Sequence, residues 1–242
     1  MPCAQVPDGR GRRHARLVDV RAFIFDLDGT LVDTVYPHVV ALQQALAEVG
    51  LEVPAWLVHR RIGMSGGMSA RALAREIGRT IGPDEQDRIQ RRHSEIYAGL
   101  LPQRQPLPGA LDLIGWLRDN GVPFGVATSG RHPDIDRSLE VLGLPADVVV
   151  VSRADVIRAK PEPDLFLACQ QRMGVRHEDV YVVGDAVWDL LAARRAGMLS
   201  VGLLSGGYAP EELLQAGAFR VYRDPRELLD SLDELGIHGG GS

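Results

Sequence analysis

Short runs crowded with β-branched and other apolar residues recur along the chain at 20–25, 123–127, 147–151, 180–183, 199–203 and, more weakly, 219–222. Each has the length of a strand, and the near-continuous apolar character predicts burial on both faces. Stretches with apolar residues three and four apart lie between and after them, at 109–120, 133–142, 163–173, 187–196, 210–216 and 225–235, and predict amphipathic helices. Strand and helix in alternation predict an α/β fold, a doubly wound parallel sheet covered by helices on both sides.

One interval breaks this rhythm. About ninety residues separate the first strand from the second, where a βαβ unit needs only ~30 or slightly more. Helical patterns at 37–49, 54–62, 68–77 and 83–100 fill the gap, with hardly any strand-like run. A small all-helical domain over 34–104 is therefore expected as an insertion in a core formed by 17–33 and 105–236. Pro102, Pro106 and Pro108 should stiffen the return to that core. Residues 1–16 carry Arg10, Arg12, Arg13 and Arg16 without the apolar segment of a secretory signal, and are expected to form a mobile tail. The same is expected of 237–242, which ends Gly-Gly-Gly-Ser.

Composition narrows the partners. A chain of 242 residues with 45% apolar content can bury one good core or two modest ones. A formal charge of −5 provides no field for nucleic acid or anionic lipid, and no apolar stretch reaches the ~18 residues that would span a bilayer. The cysteines, Cys3 and Cys169, are too few and too far apart for a disulfide framework or a zinc site. A soluble protein of a reducing cytoplasm is expected, with no nucleic-acid or membrane partner and its oligomeric state open.

Candidate chemistry gathers where strands end, which is where open parallel sheets bind ligands. The stretch FIFDLDGTLVDT, residues 23–34, places Asp26 and Asp28 at the end of the first strand. Two unpaired carboxylates so close repel, and one turns neutral unless a cation holds both; a hard divalent ion such as Mg²⁺ is the natural partner. A turn cap beside a solvated side chain is the plainer alternative. GVATSG ends another strand with Thr128, Ser129 and Gly130, a hydroxyl and backbone amides suited to phosphate oxygens, or to capping a helix. YVVGDAVWD ends a third with Asp185 and sets Asp189 about one helical turn further on. In AKPEPD, Pro161 biases Lys160 toward an extended backbone. Lys160 is the only lysine against 26 arginines; codon bias explains that balance, yet its compact ammonium does what a planar guanidinium does not.

Jointly, DLDGT at 26–30, Thr128 in VATSG, Lys160 in KPEPD and GDAVWD at 184–189 resemble the four motifs of the haloacid dehalogenase superfamily. The likeness is to its phosphatase branch with a helical cap after the first strand, phosphoglycolate phosphatase-like and β-phosphoglucomutase-like, and spans about 19–235. The resemblance implies that Asp26 attacks phosphorus to form an aspartyl phosphate, while Asp28 protonates the leaving alcohol and then activates water. It implies Mg²⁺ held by Asp26, the backbone carbonyl of Asp28, and Asp185, with Asp189 assisting. Lys160 would offset charge, and Thr128, Ser129 and Gly130 would hold phosphoryl oxygens. Hydrolytic dehalogenases lack the second aspartate, so Asp28 argues against that chemistry. Hexose phosphomutases usually show valine where Thr30 stands, Glu-Asp in place of Gly184-Asp185, and a cap arginine in place of Gly66. A phosphatase is preferred, although His38 occupies the position of a mutase hinge histidine; on a helix face it would ordinarily be surface.

Specificity should come from the cap, where HRRIGMSGGMS at 59–69 combines His59, Arg60 and Arg61 with a glycine-rich turn. These residues, Arg61 above all, either approach the substrate or end one helix while Ser65 or Ser69 caps the next. A small phosphorylated metabolite, phosphoglycolate- or sugar-phosphate-like, fits this cap. Trp188 is expected to pack in the core rather than stack on substrate. A signalling receiver that holds its phosphoryl group shares the aspartate, hydroxyl and lysine, but has no need of a cap or of Asp28.

Overall fold

The computed structural model describes residues 21–239. The expected tail at 1–16, Val20 of the first expected strand and the terminal Gly-Gly-Ser lie outside them. The chain enters through β1 (Ala22–Phe25), then passes through four consecutive helices, α1 (Val35–Ala47), α2 (Ala55–His59), α3 (Gly66–Glu76) and α4 (Pro83–Leu100). The regular alternation follows: α5 (Ala110–Asp119), β2 (Phe124–Ala127), α6 (Asp136–Leu142), β3 (Val149–Val151), α7 (Asp164–Met173), β4 (Val180–Gly184), α8 (Val187–Arg195), β5 (Leu199–Leu203), α9 (Pro210–Ala216), β6 (Arg220–Tyr222) and α10 (Pro225–Asp230).

The strands form one parallel sheet in the order β3-β2-β1-β4-β5-β6. Strand order reverses at β1, the innermost strand, whose Phe25 pairs with Val126 on one side and Val183 on the other. Alternation along β1 divides the core. Phe23 and Phe25 face α5 and α10 through Leu113, Leu117 and Leu228, whereas Ala22 and Ile24 face α7 and α8 through Phe166, Cys169 and Ala192. Both faces being covered explains the continuous apolar runs. No helix among the described residues is long and apolar enough to cross a membrane.

The inserted helices have a core of their own, in which Leu42, Leu46, Val58, Leu73 and Ile89 are buried together. Two adjacent chain segments join this cap to the sheet: Asp33 donates to the Gln105 carbonyl at 2.9 Å, and Leu107 to the Leu31 carbonyl at 2.9 Å.

Several element ends differ from the sequence expectation. The first cap helix begins at Val35 rather than 37, because Pro37 falls in its first turn, where a missing N–H costs nothing. The second stops at His59, short of 62, and the chain turns through Gly63 at φ +88°. The helix expected at 133–142 begins at Asp136, leaving 131–135 as a turn pinned by buried Ile135. The helix expected at 225–235 ends at Asp230, and a separate 3₁₀ turn at Leu232–Leu235 buries both of its leucines. The tail expected from 237 begins with a residue that is packed: Ile237 is buried against the sheet.

Leu117 is fully buried between α5 and the sheet. Leu117→Ala is expected to destabilise the fold by ~2–5 kcal/mol through lost apolar contact and a residual cavity, measured by urea denaturation.

Candidate active site

The carboxyl ends of the strands bring together groups far apart in sequence. Asp26 follows β1 and is fixed by its N–H, which donates to the Val183 carbonyl at 2.9 Å. Asp185 follows the neighbouring β4, and Asp189 lies in the first turn of α8. One oxygen of each of the three lies within 4.8 Å of the others, and all three residues are buried. Lys160 reaches the same point from the loop after β3; its Nζ lies 2.5 Å from Asp26 Oδ1 and 2.8 Å from Asp189 Oδ1. Its Nζ also lies 5.4 Å from the centroid of the Phe166 ring, and the side chain is wholly buried.

Small residues make room for this cluster. Gly29, at φ +82°, and Gly206 both lie so close that a Cβ on either would collide with the Asp185 carboxylate. Thr30 Oγ1 donates to Asp185 Oδ1 at 2.8 Å, and the Ala186 N–H donates to Asp189 Oδ2 at 3.0 Å. The Asp28 side chain is not one of the three carboxylates of this cluster. It accepts from Thr34 Oγ1 at 2.7 Å, and its Oδ1 lies 3.5 Å from His38 Nε2. Any part Asp28 takes in holding an ion therefore falls to its backbone carbonyl.

Charge divides the two neighbouring aspartates. Burial pushes Asp26 up to about 7, outweighing the attraction of Lys160. Burial also drives Asp185 well above the carboxylate range, with Asp189 and Asp26 adding to the effect. Burial acts on Asp28 in the same sense, but His38 and Thr34 outweigh it and hold this carboxylate below its ordinary value. Lys160 is pushed above its ordinary value because, against the opposing effect of burial, Asp189 and Asp26 stabilise its charge. Three buried carboxylates thus face one ammonium, an excess that a hard cation on oxygen donors would neutralise.

Thr128 is buried at the end of β2, where its Oγ1 accepts from the Gly130 N–H at 3.0 Å. Ser129 Oγ donates to the Gly63 carbonyl of the cap at 3.1 Å. Asp26, Asp28, Thr128, Ser129, Gly130 and Arg61 line one cavity of about 760 Å³ between cap and sheet.

The cap residues separate in role. Arg61 lines the cavity, pairs with Glu76 and lies 5.6 Å from the Trp188 ring. His59 and Arg60, for which approach to the substrate was one of two readings, dock the cap onto the core: His59 Nε2 donates to the Gly206 carbonyl at 2.7 Å, and Arg60 pairs with Glu212 over the Tyr208 ring. Trp188 packs as expected and donates to the Arg60 carbonyl at 3.1 Å. His38 is not the surface residue its helix face suggested. It stacks on Tyr97 with ring centroids 3.8 Å apart and lies 3.0 Å from His93 Nε2 through Nδ1. Burial, with His38 adding to it, pushes His93 down to about 3, so this ring is neutral. His93 and Tyr97 carry no motif and were missed; Gly206 stands in an SGG turn that marks a bend but not a carboxylate against it.

The sequence profile of the haloacid dehalogenase-like hydrolase family matches residues 20–197. A phosphoglycolate phosphatase of Escherichia coli O157:H7 is 32% identical over 240 residues, covering 90% of this chain and 94% of its own length. Among solved structures, a hydrolase from Pseudomonas syringae is 44% identical with a TM-score of 0.86, covering 89% of this chain and 99% of that one. A β-phosphoglucomutase from Clostridium difficile is 23% identical with a TM-score of 0.77, covering 89% and 96%, and shares the fold.

Two outcomes follow from the buried carboxylates. A carboxylate with a raised folded value keeps a proton that the unfolded chain releases. The stability contributed by Asp26 is therefore complete below its ordinary 3.8 and is lost as pH rises through about 7. A bound cation needs the deprotonated forms, so magnesium should raise the melting temperature more at about pH 8 than at about pH 5. Thermal scans with and without the ion check this; equal gains at both values would contradict it. Gly206→Ala should displace Asp185 and weaken magnesium affinity by about tenfold or more in a calorimetric titration.

Proposed function

Because the chain belongs to the haloacid dehalogenase-like hydrolase family, we propose that it is a magnesium-dependent phosphatase that hydrolyses a small phosphate monoester through an aspartyl phosphate on Asp26. The observation that carries this reading is the buried position of Asp26, paired with Lys160 beside Asp185 and open to a cavity large enough for a substrate. Asp26, Asp185 and the backbone carbonyl of Asp28 would hold the magnesium, with Asp189 behind them. The ion supplies charge neutralisation that lets a carboxylate approach a phosphoryl dianion.

The protein's own groups do the rest. An Asp26 oxygen attacks phosphorus, the ester P–O bond breaks, and the leaving alkoxide takes a proton from Asp28. Asp28 is held ionised in the free protein, but an arriving phosphoryl dianion favours its protonated form. Water then attacks the acyl phosphate and gives its proton to Asp28, which releases inorganic phosphate and restores Asp26. Lys160 balances charge on Asp26 throughout, and Thr128 with the amide of Ser129 orients the phosphoryl oxygens. The helices of 34–104 act as the cap, closing over the strand ends and excluding water.

A phosphomutase is the second reading, drawn from His38, which stands beside Asp28 next to the segments that join cap and core. Both readings require Asp26. Asp26→Asn, nearly isosteric, should lower turnover of p-nitrophenyl phosphate by ~10³-fold or more while the far-ultraviolet spectrum stays unchanged. Sustained phosphate release by the wild type supports the phosphatase. Redistribution of phosphate on a hexose phosphate without net release supports the mutase, and one equivalent held per chain supports a receiver.

A further inference from the structure

Two cap histidines stand behind Asp28, His38 on α1 and His93 on α4, and the contacts around them fix where each ring carries its hydrogen. His38 Nε2 lies 3.5 Å from Asp28 Oδ1, and His38 Nδ1 lies 3.0 Å from His93 Nε2. Tyr97 holds the His38 ring in place, stacked within 10° of parallel. His93 lines the cavity, and its Nδ1 makes no hydrogen bond among the described residues.

An ionised carboxylate only accepts hydrogen bonds, so the His38 nitrogen that faces Asp28 must carry a hydrogen. A neutral imidazole has one N–H, which leaves Nδ1 of neutral His38 bare. The 3.0 Å contact is then a hydrogen bond only if His93 Nε2 donates. Burial pushes His93 down to about 3, so this ring has a single N–H to give, and its Nδ1 is left as an acceptor toward the cavity. The opposite order, with the hydrogen on His38 Nδ1, would set a bare Nε2 against the Asp28 carboxylate, lone pair to lone pair. His93 therefore selects the His38 tautomer. Asp28 Oδ1 in turn receives two donors, Thr34 Oγ1 at 2.7 Å and His38 Nε2. Oδ2 receives none among the described residues and lies 3.8 Å from where a Cβ on Gly130 would stand, on the side of the turn after β2. With both lone pairs of Oδ1 committed, a proton on Asp28 resides on Oδ2.

Resting on the phosphatase reading, we propose that His93 is a positioning residue: by donating to His38 Nδ1 it keeps the His38 Nε2–H on Asp28 Oδ1, and so confines the catalytic proton to Oδ2. In turnover the Asp28 Oδ2–H bond breaks as the O–H bond of the leaving alcohol forms, and neither histidine gains or loses a proton. Nitrogen-15 NMR of the wild-type protein should find the hydrogen of neutral His38 on Nε2, with coupling across the bond from His93 Nε2 to His38 Nδ1. A hydrogen on His38 Nδ1 overturns the proposal. His93→Phe keeps a ring in the stack and removes the donor, so His38 should lose its single tautomer and show both. The loss of kcat/KM in this variant should be at least about fivefold greater for phenyl phosphate than for p-nitrophenyl phosphate, because the more basic phenolate depends more on the proton. His93→Gln, whose amide donates, should recover part of that difference. An equal loss for both esters, or a His38 tautomer untouched by His93→Phe, leaves His93 a packing role and overturns the proposal. Should His93→Phe fail to fold, the wild-type spectrum and His93→Gln still decide it. If the wild type turns over neither ester while the His38 hydrogen is on Nε2, the phosphatase reading falls and the hydrogen-bond order stands.

Discussion

The site depends on one buried ammonium. Lys160 is wholly enclosed, 2.5 Å from Asp26 and 2.8 Å from Asp189, and it is the only lysine in the chain. Breaking a buried ion pair by removing one partner typically costs ~3–5 kcal/mol, because the partner's charge is left uncompensated. Here the ammonium does not balance the cluster, since Asp185 adds a third carboxylate. The protein therefore holds its strand ends in a state of charge excess that burial intensifies. Burial raises Asp26 and Asp185, and the charge of the neighbouring carboxylates adds to it.

The cap meets this centre on two sides. On one, His59 binds the Gly206 carbonyl, and Gly206 lies against the Asp185 carboxylate. On the other, His38 from α1 reaches Asp28, supported by His93 and Tyr97 from α4. Docking contacts and chemistry are thus only one residue apart, and a small movement of the cap would be felt at both aspartates. The Ser129 hydroxyl, bound to the Gly63 carbonyl, makes a third link from the turn after β2.

Much of the fold was legible in the sequence because its signals are local. Parallel strands buried on both faces must be continuously apolar, and helices that cover them must repeat at three and four residues. The ends of elements were less legible. The turn at 131–135 and the break at Ser231 depend on which side chains, Ile135, Leu232 and Leu235, find space in the core. The insertion was readable from its length alone, since no single crossover helix uses so much chain.

By itself, the sequence determined the fold class, the insertion and the charged residues that end the strands, because each is carried by neighbours in the chain. Only the tertiary structure decided which of those residues meet. It sent Arg60 to Glu212 rather than into the cavity and brought His38 from an expected surface to Asp28. The reason is physical: pairing and desolvation depend on distances of a few ångströms between segments up to 176 residues apart, and no local pattern encodes them.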